Sequence, residues 1–220
     1  MKRLTAAIGT GVTVLALSFG LVGCGSDDKS SSSGSASSSA TESTEAAGPQ
    51  KTIADYIAEK KITQIAVKRG DPGPNINVPL PADWQPKQGA LPKGTYGAIV
   101  FTRSGAPNNP PRVLALLSKL TGDVDPAEIL KYAPGELNNL PGYAGQKEGV
   151  PSKVSGYDAV QLTGSYLNKD KKGTISQRTV VIPLADAVYV LQLNGISDEL
   201  ETPVLNDAMT FIGDKTTITP

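Results

Sequence analysis

Residues 157–195 read YDAVQLTGSYLNKDKKGTISQRTVVIPLADAVYVLQLNG. From Tyr157 to Leu167 the side chains alternate, with Val160 and Leu162 opposite Ala159, Gln161 and Thr163. The polar run Asn168 to Gly173 predicts a turn, after which Thr174 to Leu184 returns through Val180-Val181-Ile182. Asp186 marks a second turn into Ala187–Leu193, where Tyr189, Leu191 and Leu193 face one way and Val188 and Val190 the other. A period of two, broken by clusters of turn-forming residues, describes consecutive hairpins with both faces of the sheet covered. The second half of the chain therefore reads as antiparallel sheet.

The flanking sequence supplies more strands and the helices to cover them. Downstream, Thr202-Pro203 caps a helix whose Val204, Leu205, Ala208, Met209 and Ile212 form an apolar stripe. Upstream, Val113 to Leu117 within Arg112–Leu120 is the near-continuous apolar run of a central strand covered on both sides. In Thr95–Arg103 the alternation places Tyr96, Ala98 and Val100 on one face and Ile99 and Phe101 on the other. Asp125-Pro126-Ala127-Glu128 starts a helix that Pro134-Gly135 should kink or split. A first short helix begins at Thr52 with a capping pattern to Asp55, using Ile53, Ile57 and Ile62 as its apolar side. Gln64–Lys68 and Asn75–Pro81 read as a first strand and an edge strand, and Pro86–Gly94 as turn. Helix, strands, helix, strands, helix is the order of an α+β fold, an antiparallel β-sheet flanked by helices.

The N-terminal 50 residues follow other rules. Lys2 and Arg3, an apolar stretch from Leu4 and the ending Leu21-Val22-Gly23-Cys24 form a lipoprotein signal peptide over residues 1–23. Cleavage between Gly23 and Cys24, with a lipid on the Cys24 thiol, would anchor the chain to the extracytoplasmic face of the cell membrane. Residues 24–50 hold no large apolar side chain and read as a disordered Ser-rich linker. Such a coil of about 26 residues spans about 28 Å on average. The remaining segment, 51–220, is the α+β domain.

Charge and residue inventory exclude several functions. Without Lys2 and Arg3, 19 basic residues face 21 acidic ones, too even a balance for a nucleic-acid surface. The chain contains no histidine and a single cysteine, Cys24. Ser–His–Asp and Cys–His catalysis, imidazole zinc sites, disulfides and iron–sulfur clusters are thus unavailable. No phosphate loop or other cofactor motif occurs. The expectation is a non-catalytic protein without cofactor or metal. The alternatives are a lipid-acting enzyme that uses carboxylates alone and a host-facing protein-interaction lipoprotein.

Several stretches carry a resemblance: Thr52-Ile53-Ala54-Asp55-Tyr56-Ile57, Gly70-Asp71-Pro72-Gly73, Pro81-Ala82-Asp83-Trp84, Leu120-Thr121-Gly122-Asp123, Leu140-Pro141-Gly142 and the terminal Thr216-Thr217-Ile218-Thr219-Pro220. Together they make the mature domain similar to the LpqN/LpqT lipoproteins of mycobacteria and related actinobacteria. The resemblance implies a fold like that of PsbP/Mog1 proteins. It also implies a binding or adaptor role in mycolate glycolipid transport and cell-envelope biogenesis. The partners would then be the membrane, mycolate glycolipids and envelope transport or transfer proteins. No catalytic residue comes with it.

Among individual residues, Trp84 has two readings: an aromatic contact for a bound ligand, or a core residue closing the fold behind an edge strand. The seven tyrosines could line a groove or half-cover the sheet. Gln161, Gln192 and Asn194 define a polar strip, with solvent exposure as the simpler account.

Overall fold

In the computed structural model, residues 48–169 and 171–220 are described. The lipobox, Gly23, Cys24 and the Ser-rich linker up to Ala47 lie outside them. Helix α1 (Ile53–Glu59) is followed by β1 (Thr63–Val67), β2 (Asn75–Asn77), β3 (Trp84–Pro86), β4 (Thr95–Phe101) and β5 (Arg112–Thr121). Helix α2 (Pro126–Asn138) leads into β6 (Ala144–Gly145), β7 (Val150–Val154), β8 (Tyr157–Asn168), β9 (Lys171–Pro183) and β10 (Val188–Asp198). A 3-10 turn at Glu199–Glu201 precedes α3 (Thr202–Lys215) and β11 (Thr217–Thr219).

The expected hairpins are the heart of the sheet, whose order is β3-β4-β5-β10-β9-β8-β6, all neighbours antiparallel. One edge of β5 is shared: β4 pairs with its first half and β1 with its second. At the other end β7 pairs with β8 beside β6. The alternation also sorts the two cores. Tyr189, Leu191 and Leu193 join Val113, Leu117 and Val180 under α3 residues Leu205, Met209 and Ile212. Val190, Val160, Leu162 and Val181 pack under α1 and α2 through Ile53, Tyr56, Ile129, Ala133 and Leu137. The fold is α+β, as the patterning implies.

Several elements differ from the patterning. Tyr96 and Ile99 are both buried in the α3-side core, because a bulge between Thr95 and Gly97 advances the pleat by one residue. Pro86 belongs to a short strand, β3, paired with β4 rather than to a turn. The edge strand at Asn75 stops at Asn77, before the prolines that cannot donate, and pairs with β11 in a separate two-stranded sheet. The turn expected over Asn168–Gly173 shrinks because Asn168 already pairs with Lys171. Thr202 is the first residue of α3 rather than its cap; its hydroxyl donates back to the Glu199 carbonyl at 2.7 Å.

Helix α2 runs unbroken through Pro134. Pro134 has no N–H, so the Leu130 carbonyl loses its helical donor, but the neighbouring turn is tied from outside. Asn138 Nδ2 donates to the Pro134 carbonyl at 3.0 Å and to the Lys147 carbonyl at 2.8 Å. Gly135 lets the N-terminal strap cross the helix: a Cβ there would lie 2.2 Å from the Lys51 carbonyl oxygen. Asn139 clamps the strap, accepting from Gln50 N at 2.8 Å and donating to Gln50 O at 2.7 Å. The capping box of α1 forms as patterned, with Thr52 N donating to Asp55 Oδ2 at 2.8 Å and Asp55 N to Thr52 Oγ1 at 3.2 Å.

Candidate functional site

Helix α2 lies over β8 and β9 and divides its face of the sheet into two flanks. On the β7–β8 side it leaves a cleft of about 540 Å³, within the range of small-molecule sites. Leu130 and Pro134 form one wall, and Gly149, Pro151 and Val160 the other. Gln50, Lys131, Lys147 and Glu148 ring the mouth. Three features of the sequence shape this space. The strap over Gly135 brings Gln50 to the rim. Asn138 bonds to Gln50 Oε1 as well as to the Lys147 carbonyl, tying strap, helix and the loop before β7 together. Gly149 rests against Val160 so closely that a Cβ would fall 1.9 Å from Val160 Cγ2.

The cleft is apolar in its walls and charged only at its mouth. Lys131 bonds Glu128 at 2.8 Å, and that bond raises the lysine's pKa and lowers that of the glutamate. Lys131 is exposed and Glu128 only half-buried, so the pair adds little stability and leaves an ammonium at the entrance. The arrangement suits an amphiphile with its chain between α2 and the sheet and its polar end among Gln50, Lys131 and Lys147.

On the other flank, Glu136 points toward β10. Gln192 Nε2 donates to Glu136 Oε2 at 3.1 Å, and Gln177 Nε2 to Asn194 Oδ1 at 2.9 Å. Burial pushes the Glu136 carboxyl above the ordinary carboxylate range, with partial relief from Gln192 and Gln177 and a further push from Asp55. The polar strip of Gln192 and Asn194 is therefore half-buried and bonded, not solvated. Gln161 lies on the opposite face, where it accepts from Arg178 Nε at 3.1 Å. Arg178 is buried beside Gly213 near the C-terminal end of α3, where the helix dipole favours a cation.

Trp84 is 7% exposed, in the core on the α3 side, with its ring centroid 5.7 Å from that of Phe101. It shares neither flank of α2 and is not brought to the cleft. Of the tyrosines, Tyr143 and Tyr166 are half-buried on the α2 side, and burial raises both phenols above their usual range. Gly164 and Gly173 give these rings their seats, since a Cβ would fall 2.6 Å and 3.2 Å from them. The cleft residues Leu130, Pro134, Pro151 and Val160 were not separable in sequence from core positions. Pro134 within a helical pattern and the isolated Gly149 were the available signals.

Comparison with known proteins agrees with the resemblance. The family model "Probable lipoprotein LpqN" matches residues 49–219. Lipoprotein LpqN of Mycobacterium tuberculosis is 46% identical over 235 residues, covering 100% of both chains. A crystal structure of LpqN, described as involved in cell envelope biogenesis of Mycobacterium tuberculosis, matches with a TM-score of 0.75 at 48% identity. It covers 79% of this chain and 100% of that one. The chain belongs to the LpqN lipoprotein family.

Proposed function

We propose that the chain is a membrane-anchored, non-catalytic envelope lipoprotein, held by a lipid on Cys24 at the extracytoplasmic face. Its role is that of a binding or adaptor module in mycolate glycolipid transport and cell-envelope biogenesis. The observation that carries this reading is the cleft between α2 and β7–β8, with its apolar walls and its mouth of polar and charged groups. A glycolipid presents the complementary pair, an acyl chain and a hydroxyl-rich head. Family membership and the envelope role described for the Mycobacterium tuberculosis relative support it. No helix among the described residues is long and apolar enough to cross a membrane.

The test uses the mature chain from residue 24 with Cys24→Ser, which stays in solution. Native mass spectrometry with trehalose monomycolate should show a one-to-one adduct. Leu130→Trp, which fills the cleft from a half-buried helix position, should weaken binding at least tenfold, about 1.4 kcal/mol. Absence of the adduct, or equal binding by the filled variant, would remove the reading. Turnover of the glycolipid during incubation would favour the carboxylate-only enzyme instead.

A further inference from the structure

The flank of α2 opposite the cleft is built differently. Gln177 and Thr179 on β9 are 4% and 0% exposed, yet Gln177 Oε1 and Thr179 Oγ1 have no hydrogen-bond partner. They lie across the sheet register from Asn194 and Gln192, beside the Glu136 carboxyl. Gln177 and Gln192 each show one amide hydrogen bond here, Gln177 Nε2 on Asn194 and Gln192 Nε2 on Glu136. No cation pairs with Glu136 among the described residues. The Gln177 amide oxygen thus lacks a donor, and the Glu136 carboxylate lacks a compensating positive charge. Buried oxygens without donors are costly to leave unmade.

The surface next to it is apolar and open. On the α2 side of β5 and β10, Leu120 and Val190 are buried beneath α1 and α2, but their neighbours farther along the strands keep partial exposure. Leu114, Leu116 and Ile196 are half-buried, while Val113, Ala115, Leu117 and Leu193 on the reverse face are buried. β5 is therefore covered fully on one side only, a departure from the two-sided burial its apolar run suggests.

We propose that this flank binds an amphiphile bearing a primary ammonium group, its head on Glu136 and the unpaired Gln177 oxygen and its chain along Leu116, Leu114 and Ile196. An ammonium offers three donors and a positive charge, which the Glu136 carboxylate and the unpaired Gln177 oxygen can take up. A sulfate or phosphate head would bring only more acceptors next to a carboxylate. A neutral polyol would supply donors without the charge. This site is independent of the cleft and of the glycolipid reading.

The experiment titrates the mature Cys24→Ser chain with dodecylammonium, dodecyl maltoside and dodecyl sulfate, each below its micelle concentration, at neutral pH. Side-chain amide signals of Gln177, Gln192 and Asn194 are followed by NMR. Read from those amides alone, since the maltoside head also suits the cleft, dodecylammonium should bind at least tenfold tighter than dodecyl maltoside. Glu136→Gln, checked for an unchanged fold by its amide spectrum, should abolish the preference while leaving the maltoside affinity within twofold. Equal affinities, a preference that survives Glu136→Gln, or binding that leaves the three amides unmoved would each overturn the proposal.

Discussion

Gly135→Ala separates helix propensity from tertiary constraint. Inside an isolated helix the change is stabilising by about 1 kcal/mol, because glycine loses more backbone freedom on folding. In this fold the new Cβ would sit 2.2 Å from Lys51 O, 2.9 Å from Lys51 C and 3.3 Å from Gln50 O. These are main-chain atoms, so the strap itself must move. It is held by three side-chain hydrogen bonds: two between Gln50 and Asn139, and one from Asn138 to Gln50 Oε1. At a net value of about 1 kcal/mol each, their loss outweighs the propensity gain and leaves the variant about 2 kcal/mol less stable. Urea unfolding followed by tryptophan fluorescence would register this as a lower midpoint at unchanged slope. In a second background carrying Asn139→Ala, which already frees the strap, the penalty should shrink by at least half. A Gly135→Ala protein as stable as the parent, or an undiminished penalty beside Asn139→Ala, would refute the argument. Displacing the strap also takes Gln50 from the rim of the cleft, so glycolipid affinity should fall with it.

Further outcomes follow from the same reasoning. Glu136 has a raised pKa in the fold, so its contribution to stability is fully present below its ordinary value of 4.5 and is lost as pH rises through the folded value. Glu136→Gln should therefore be more stable than the parent at pH 7, and the difference should disappear near pH 4 in paired urea titrations. Thr52→Ala breaks the capping box of α1 and should cost about 1 kcal/mol by the same assay. Leu117→Ala, at a position with 0% exposure in the central strand, should cost about 2–5 kcal/mol.

The parts of the fold legible in sequence are those where side-chain period and burial coincide. β8, β9 and β10 announce themselves because both faces are covered, and their alternation assigns Val190 and Leu191 to different cores. Legibility fails where a backbone feature intervenes. The bulge at Thr95–Gly97 moves Ile99 to the face of Tyr96, and nothing in the apolar pattern marks an extra residue. It also fails where long-range ties override local preference. Pro134 has a strong local tendency to end a helix, but Asn138 and the crossing strap hold the turn that follows. The strands β7 and β11 are short and exposed in part, so their pattern carries little signal; they form because β8 and β2 offer edges. The candidate sites were the least legible. A cleft wall and a core face draw on the same residues, and α2's placement, which decides between them, is a property of the whole fold.

Trp84 shows how the two readings of one residue can be separated by measurement. Its indole packs against Phe101 in the α3-side core, and its strand pairs with β4 at the far end of the sheet from β8. A buried core tryptophan contributes mainly to stability, and truncation to alanine costs about 3–5 kcal/mol. A ligand-contacting tryptophan contributes mainly to affinity, and its replacement by phenylalanine would leave stability nearly unchanged. The geometry predicts the first pattern. Trp84→Phe should lower the urea midpoint, followed here by circular dichroism because the variant has no tryptophan, yet leave the affinity for trehalose monomycolate within twofold, because the folded fraction still presents an intact cleft on the other face. Leu130→Trp should show the reverse, with affinity lost and stability kept. A tenfold affinity loss for Trp84→Phe in protein that is fully folded by its amide spectrum would place the glycolipid against the α3-side core instead. The cleft beside α2 would then have to be given up as the site.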